Sequence, residues 1–206
     1  MISGRDRTAL AARLPPGWLA LGSYGLELPD SISTSGYPDG FDPAVARNAL
    51  EAAGAELEGL IQGWPGARLE TKTWGRAVHF RGGAEAAFED PATLGAVTTV
   101  AARHGLEVSL GRLVIEVRPA GADKGSALAT LVQRLDPSAV TFAGDDLGDV
   151  PAWRQLRQLS SRLPTVAAAV ASPELDPQAM ADCDIILEGR RALPGFVAGL
   201  LEIAQG

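Results

Sequence analysis

The stretch of this sequence best suited to chemistry is an acidic turn, Gly144-Asp145-Asp146-Leu147-Gly148-Asp149. The apolar run 139–143 before it predicts a buried strand, and Pro151 opens a segment with helical spacing. The carboxylates therefore follow the carboxyl end of a strand, where open α/β sheets bind ligands. Because like charges this close repel, a cation is the usual reason for such a cluster, and oxygen ligands suit Mg²⁺. The alternative is an acidic turn whose last aspartate caps the next helix.

Composition narrows the class of protein. Of 206 residues, 46% are hydrophobic and 21% are charged, as in ordinary globular proteins. The formal charge of −7 argues against a nucleic-acid surface, which needs a basic face. The single cysteine, Cys183, excludes an internal disulfide and favours a reducing compartment. With no apolar run of about 20 residues and no signal-peptide pattern, we expect a cytoplasmic protein without nucleic-acid or membrane partners.

The middle of the chain has the pattern of an antiparallel sheet with two helices. Asp-Pro pairs predict both helix starts, because aspartate caps and proline fits the first helical position. The predicted elements are helices from Asp42-Pro43 to about Gln62 and from Asp90-Pro91 to His104-Gly105, two strands in 68–81 joined near Trp74-Gly75, and a hairpin of 106–110 and 113–118 with a Gly111-Arg112 turn.

Charged residues recur along these strands with a period of two, which places both members of each pair on one face of the sheet. A sugar-binding surface is one interpretation. A solvated face with cross-strand ion pairs is the other. The pairs are Glu70 with Lys72, His79 with Arg81, and Glu116 with Arg118.

The N-terminal segment predicts a helix from Asp6 to about Arg13, with Ala9, Leu10 and Leu14 inward, and a buried strand at 18–21. Ser3 and Arg5 would lie at a strand-to-helix junction, where backbone amides bind anions. The alternative is the N-cap region of a loose terminus.

The C-terminal part returns to an α/β pattern. Lys124 falls in the first turn of a helix, where the dipole disfavours a cation, so its place indicates a bound anion. A solvent-screened lysine is the alternative. Later elements are a helix over 151–163, strands at 165–170 and 184–187, and a closing helix over 193–204.

Three runs, Ser3-Gly4-Arg5, Asp123-Lys124-Gly125 and the acidic turn, resemble motifs two to four of the haloacid-dehalogenase superfamily. The segments 22–27, 70–72, 79–81 and 116–119 are similar to cap landmarks of its trehalose-6-phosphate phosphatase family. The resemblance covers nearly the whole chain. It implies an α/β fold with a haloacid-dehalogenase-like Rossmannoid parallel-sheet core, its first strand missing, formed by 1–26 and 118–206. An α+β cap, 27–117, would be inserted in that core.

The resemblance also implies Mg²⁺ as cofactor, trehalose 6-phosphate as substrate, and a role for each site residue. Catalytic roles fall to Ser3, Lys124 and Asp149, and phosphate binding to Ser3, Gly4, Arg5 and Lys124. Metal ligation falls to Asp145, Asp146 and Asp149, and sugar binding to Glu70, Lys72, His79, Arg81, Glu116 and Arg118.

Departures from the family pattern limit what it implies. Tyr24 stands where the family usually has histidine, and Gly148 where many members have threonine. The motif Asp-x-Asp-Gly-Thr, which carries the nucleophile and the general acid/base, is absent. We therefore expect the native protein to extend upstream of Met1, and the chain as given to be inactive. The alternatives are a non-catalytic sugar-phosphate-binding relative or a capped phosphatase for another sugar phosphate, such as sucrose phosphate.

Overall fold

The computed structural model describes residues 1–173, 175 and 177–205. The chain divides into two compact units, Met1–Ala122 and a second unit that begins at Asp123. The predicted assignment of residues 1–26 to the parallel-sheet domain stays a prediction. No helix in the described ranges is long and apolar enough to cross a membrane.

The first unit is built on an antiparallel sheet. Its strands are β1 (Arg68–Lys72), β2 (Gly75–His79), β3 (Leu106–Gly111) and β4 (Val114–Pro119), hydrogen-bonded in the order β1-β2-β4-β3. Both predicted hairpins are present. The predicted Gly111-Arg112 turn is wrong by one residue, because Gly111 pairs with Val114 and leaves Arg112-Leu113 as the loop. Leu113 takes the left-handed conformation there, with φ of 56°.

Helices cover the inner face of this sheet. They are α2 (Pro43–Ile61), the short α3 (Glu85–Glu89) and α4 (Pro91–Arg103). The Asp42 carboxylate accepts hydrogen bonds from the amides of Ala44 and Val45, so the predicted cap is confirmed. The helical spacing of the segment would place Val45 inward, but Val45 is 65% exposed, since it follows the cap on the outer side of the first turn. The fully buried core of the unit includes Leu50, Leu57, Val78, Phe80, Val97, Ile115 and Val117.

The N-terminal segment has less regular structure than predicted. Helix α1 covers only Arg7–Ala11, and Leu10 is its buried residue. The inward placement of Ala9 is wrong, because so short a helix turns a single residue toward the core. The predicted strand at 18–21 is reduced to one parallel bridge between Ile2 and Leu21, and Trp18 is 53% exposed.

The second unit carries a parallel sheet, as predicted. Strands β5 (Val140–Gly144), β6 (Thr165–Val170) and β7 (Ile185–Leu187) pair in that order. Helices α5 (Lys124–Leu135) and α6 (Val150–Leu159) pack on each other, and α6 packs on β5 and β6. The chain closes with α7 (Leu193–Gln205). Since β6 is central, its residues 167–170 are buried.

Two details of the second unit differ from the prediction. Helix α6 ends at Leu159, before the predicted Leu163, and the Ser160 hydroxyl bonds back to the Arg157 carbonyl at that end. The helical spacing after Lys124 would place Leu135 inward, but Leu135 is 53% exposed. It is the last residue of α5, and Asp136 after it takes a left-handed C-cap conformation that turns the chain away.

Candidate functional site

A cleft of about 460 Å³ opens in the first unit. It brings the Ser3-Gly4-Arg5 run together with two charged residues predicted to bind sugar. These two groups are far apart in sequence, so the fold creates their proximity. The lining residues are Ser3, Gly4, Arg5, Asp6, Ala9, Tyr24, Glu70 and Lys72.

Backbone hydrogen bonds hold the Ser3-Gly4-Arg5 run in place. The Ser3 amide donates to the Leu21 carbonyl at 3.1 Å, and the Arg5 amide to the Ser3 hydroxyl oxygen at 3.2 Å. The Arg7 amide, at the start of α1, donates to the Glu27 carboxylate at 2.9 Å. The predicted anion binding depended on backbone amides at this junction. The amides of Ser3, Arg5 and Arg7 instead donate to acceptors within the protein. The Ser3 hydroxyl and the exposed Arg5 guanidinium are the polar side-chain groups that this run brings to the cleft.

Strand register explains how the charged residues share one face of the sheet. Glu70 pairs with Ala77, which pairs on its other side with Glu116. Since paired residues project to the same side, the β1 and β4 side chains meet on the face away from the helices. This polar face comprises Glu70, Lys72, His79, Glu116 and Arg118. Arg81 lies beyond the end of β2 and donates to the Arg112 carbonyl.

An ion pair and a hydrogen bond cross this polar face. Lys72 pairs with Glu116, and His79 Nε2 lies 2.7 Å from Glu70 Oε2. The cross-strand ion pairing of the alternative interpretation is therefore present between Lys72 and Glu116. It does not exclude sugar binding, because carboxylates and amines arranged this way also suit sugar hydroxyl groups.

Glu116 is the most enclosed acid of the polar face, with a side chain only 14% exposed. Burial alone would raise its pKa, but the Lys72 ammonium, a hydrogen bond from Tyr24 and the Arg118 charge together bring the pKa below its ordinary value. Glu116 is therefore an ionised acceptor at neutral pH.

In the second unit the acidic turn is organised by Asp149. Its Oδ1 lies 2.6 Å from Lys124 Nζ, and its Oδ2 accepts the amides of Asp145 and Asp146 at 2.9 and 3.1 Å. Asp149 is at the N-cap position of α6, as predicted, but its carboxylate serves Lys124 and the turn. Burial raises the pKa of Asp149, against the opposing effect of the Lys124 ammonium.

Lys124 is buried at 8% exposure, so the alternative of a solvent-screened lysine is wrong. The Asp123 carboxylate accepts the amides of Gly125 and Ser126 at 2.7 and 2.8 Å and starts α5 there. A Cβ at Gly125 would lie 2.5 Å from the Pro151 carbonyl oxygen. In this run Asp123 caps the helix and Lys124 carries the buried charge. Gly125 allows the helix start to pack closely against Pro151.

The acidic residues of this turn fit a hard cation. One oxygen from each of Asp145, Asp146 and Asp149 lies within 4.8 Å of the others. Asp146 Oδ1 is buried without a hydrogen-bond partner in the described structure, and the Lys124 ammonium lies 3.5 Å from it. A Cβ at Gly148 would lie 2.9 Å from this oxygen, so glycine leaves room beside it. Asp145 and Asp146 are the better ligand candidates, because the buried Lys124 and two turn amides occupy both oxygens of Asp149, whereas Asp145 Oδ2 is held by the exposed Arg190.

Two contributors were missed by sequence reasoning. Arg190 donates to Asp145 Oδ2 from two of its nitrogens, and nothing in the sequence around Arg190 indicates this contact. Glu27 accepts both the Arg7 amide and the Ser23 hydroxyl. The sequence did indicate Glu27, because this residue belongs to the segment 22–27 that is similar to a landmark of the family.

Comparison with known proteins gives a consistent result. The family model described as trehalose-phosphatase matches residues 1–182. A trehalose-phosphate phosphatase of Mycobacterium tuberculosis is 37% identical over an alignment of 161 positions that covers 74% of this chain and 40% of the relative. The chain thus spans well under half the length of the curated relatives it matches.

Solved structures show the fold. The C-terminal domain of a Candida albicans trehalose synthase regulatory protein superposes with a TM-score of 0.71 at 14% identity, covering 93% of this chain and 78% of that one. A haloacid dehalogenase-like hydrolase from Bacteroides thetaiotaomicron gives a TM-score of 0.56 at 14% identity, covering 90% and 79%. The predicted haloacid-dehalogenase-like α/β fold is confirmed. By the span of the family model and its curated relatives, the chain belongs to the trehalose-phosphatase family.

Proposed function

We propose that this protein serves the hydrolysis of trehalose 6-phosphate to trehalose and phosphate. The observation that carries the proposal is the cleft of the first unit, in which a run with a hydroxyl and a guanidinium group adjoins a polar sheet face. A sugar phosphate presents the same two kinds of group, an anion and several hydroxyls, in one molecule. The 37% identity to a trehalose-phosphate phosphatase supports the choice of sugar.

We assign ligand binding to the first unit. Ser3 donates its hydroxyl to the phosphoryl oxygens and Arg5 neutralises part of their charge. Glu116, held ionised, accepts hydrogen bonds from sugar hydroxyls, while Lys72 and Arg118 donate to them. Glu70 and His79 extend the same face along β1 and β2. Arg81, beyond the strand, has the weakest structural support as a sugar ligand.

We assign charge stabilisation to the second unit. Lys124 carries a buried positive charge whose position Asp149 fixes, and such a preorganised charge favours the transition state of phosphoryl transfer. Asp145 and Asp146 are the candidate ligands of Mg²⁺. When bound, the ion supplies Lewis-acid stabilisation of phosphoryl oxygens. Asp149 acts on the turn through the amides of residues 145 and 146.

A non-catalytic sugar-phosphate-binding role is the second candidate. The 206 residues contain no Asp-x-Asp-Gly-Thr run, and the nearest pattern, Asp182-Cys183-Asp184, precedes β7 instead of following a strand. Covalent phosphoryl transfer therefore needs a nucleophile that these residues do not place in the family's arrangement.

The test measures binding and turnover separately. Calorimetry of the 206-residue chain with trehalose 6-phosphate, sucrose phosphate and inorganic phosphate should rank trehalose 6-phosphate first. Phosphate release with MgCl₂ is then compared between this chain and a version extended at Met1 by a segment carrying Asp-x-Asp-Gly-Thr. Release by the extended version supports the phosphatase. Binding without release by either version supports the non-catalytic role, and absence of sugar-phosphate binding contradicts both.

A further inference from the structure

The turn at Ser23-Tyr24 holds two non-glycine residues in the left-handed region of the backbone, with φ of 47° and 59°. This region costs an L-residue free energy, so it persists where surrounding contacts impose it, and such strain collects at functional sites. The Ser23 amide donates to the Arg5 carbonyl and the Tyr24 amide to the Ser3 carbonyl, both at 2.8 Å. The strained turn is therefore fastened to the run that we assign to phosphate binding.

The Tyr24 ring contacts the same run. A Cβ added at Gly4 would lie 2.5 Å from Cζ of the ring, so glycine at this position is what admits the ring. The guanidinium carbon of Arg118 lies 4.5 Å from the ring centroid, within the range of a cation–π interaction. One aromatic side chain thus contacts both the phosphate-binding run and the polar sheet face.

The Tyr24 hydroxyl fixes an acid of that face. It donates to Glu116 Oε2 at 2.6 Å, while Oε1 of the same carboxylate pairs with Lys72. Because the Glu116 side chain is only 14% exposed, an oxygen deprived of its donor would have little water to replace it. The position of the Glu116 carboxylate therefore depends on Tyr24 as well as on Lys72.

We propose that Tyr24 is a positioning residue that sets the place of Glu116 and Arg118 relative to the phosphate-binding run. The ligand it selects is a phosphorylated sugar whose hydroxyls reach Glu116 while its phosphate occupies the run. Inorganic phosphate, which does not reach Glu116, gains nothing from Tyr24. The inference rests on the proposed function and deepens it by naming the residue that couples the two halves of the substrate.

Calorimetric titration of the full chain with trehalose 6-phosphate and with inorganic phosphate tests this role. Tyr24→Phe removes only the hydroxyl and should weaken trehalose 6-phosphate binding about tenfold while leaving phosphate binding within about twofold. Tyr37→Phe is the matched control, because Tyr37 is the other tyrosine of the chain and packs against Phe41 and Trp74. It should leave both affinities unchanged.

A double-mutant cycle separates positioning from a general effect on the fold. Tyr24→Phe and Glu116→Gln both disturb one hydrogen bond, so their losses in trehalose 6-phosphate affinity should not add. Glu116→Gln keeps the size of the side chain and should by itself weaken trehalose 6-phosphate binding while leaving phosphate binding unchanged. This variant decides the matter if Tyr24→Phe loses its cooperative melt.

The outcomes distinguish this role from the proposed function. Equal loss of both ligands in Tyr24→Phe, additive losses in the cycle, or unchanged trehalose 6-phosphate affinity would each overturn the role of Tyr24. If the unaltered chain binds trehalose 6-phosphate no better than phosphate, the proposed function itself fails.

Discussion

Arg190 and Asp145 are joined by two hydrogen bonds to one carboxylate oxygen. Nε and a terminal nitrogen of the guanidinium lie 3.0 and 2.7 Å from Asp145 Oδ2. The arginine is 84% exposed and the aspartate 32% exposed. The Arg190 guanidinium therefore neutralises a candidate metal ligand. Because the arginine side chain is exposed, a divalent cation that binds Asp145 can displace it.

Replacing Arg190 should tighten Mg²⁺ binding. Because exposed ion pairs contribute about 0.2–1 kcal/mol, Arg190→Gln should lower the Mg²⁺ dissociation constant by a factor of about 1.4 to 5. Calorimetric titration with MgCl₂ measures the change. Arg191→Gln is the control, since the neighbouring arginine is exposed and lies in the same short 3-10 helix. An Arg190→Gln chain that binds Mg²⁺ more weakly would show that the arginine supports the site.

The Lys124–Asp149 pair predicts a large loss of stability when it is broken. Lys124 and Asp149 are 8% and 3% exposed, so Lys124→Met leaves a buried carboxylate without its counter-charge. We expect the free energy of unfolding to fall by about 3–5 kcal/mol, measured by urea denaturation. The double variant Lys124→Met/Asp149→Asn should be more stable than Lys124→Met, because the uncompensated charge is gone. A single variant as stable as the unaltered chain would contradict the pair's structural role.

What the sequence predicted follows from local and periodic signals. Asp42, Asp90 and Asp123 mark their helix starts because capping depends on the next few amides. The period of two placed Glu70 with Lys72, and Glu116 with Arg118, on one face, which the strand register confirms. The pairing of His79 with Arg81 is not confirmed, because Arg81 lies beyond the end of β2. Local and periodic sequence signals do not predict contacts between distant segments. Neither the Tyr24–Glu116 hydrogen bond nor the Arg190–Asp145 pair has a local pattern.

The depressed pKa of Glu116 predicts a pH-dependent contribution to stability. An acid whose pKa is lower in the folded than in the unfolded chain stabilises the fold above the unfolded value, here 4.5. That contribution is lost as the pH falls through the folded value. Glu116→Gln should therefore lower stability by about 1–3 kcal/mol near pH 7. The difference from the unaltered chain should shrink as the pH falls below 4.5.

Thermal melts of both chains across this pH range measure the effect. Glu89→Gln serves as control, because Glu89 is an exposed residue at the end of α3. A difference between the Glu116→Gln and unaltered chains that grows on acidification would mean that the folded state raises the pKa of Glu116.

Cys183 should react slowly with thiol reagents. Burial, with the neighbouring Asp182 and Asp184 carboxylates, raises its pKa to about 11 from an ordinary 9.0. Since the thiolate is the reactive form, the folded chain should react with an aromatic disulfide reagent near pH 8 about a hundredfold more slowly than the chain unfolded in guanidinium. Cys183 is the only cysteine, so absorbance reports this site alone. Asp182→Asn removes one carboxylate charge and should speed the reaction several-fold. Equal rates for the folded and unfolded chains would show that neither burial nor these carboxylates protects the thiol.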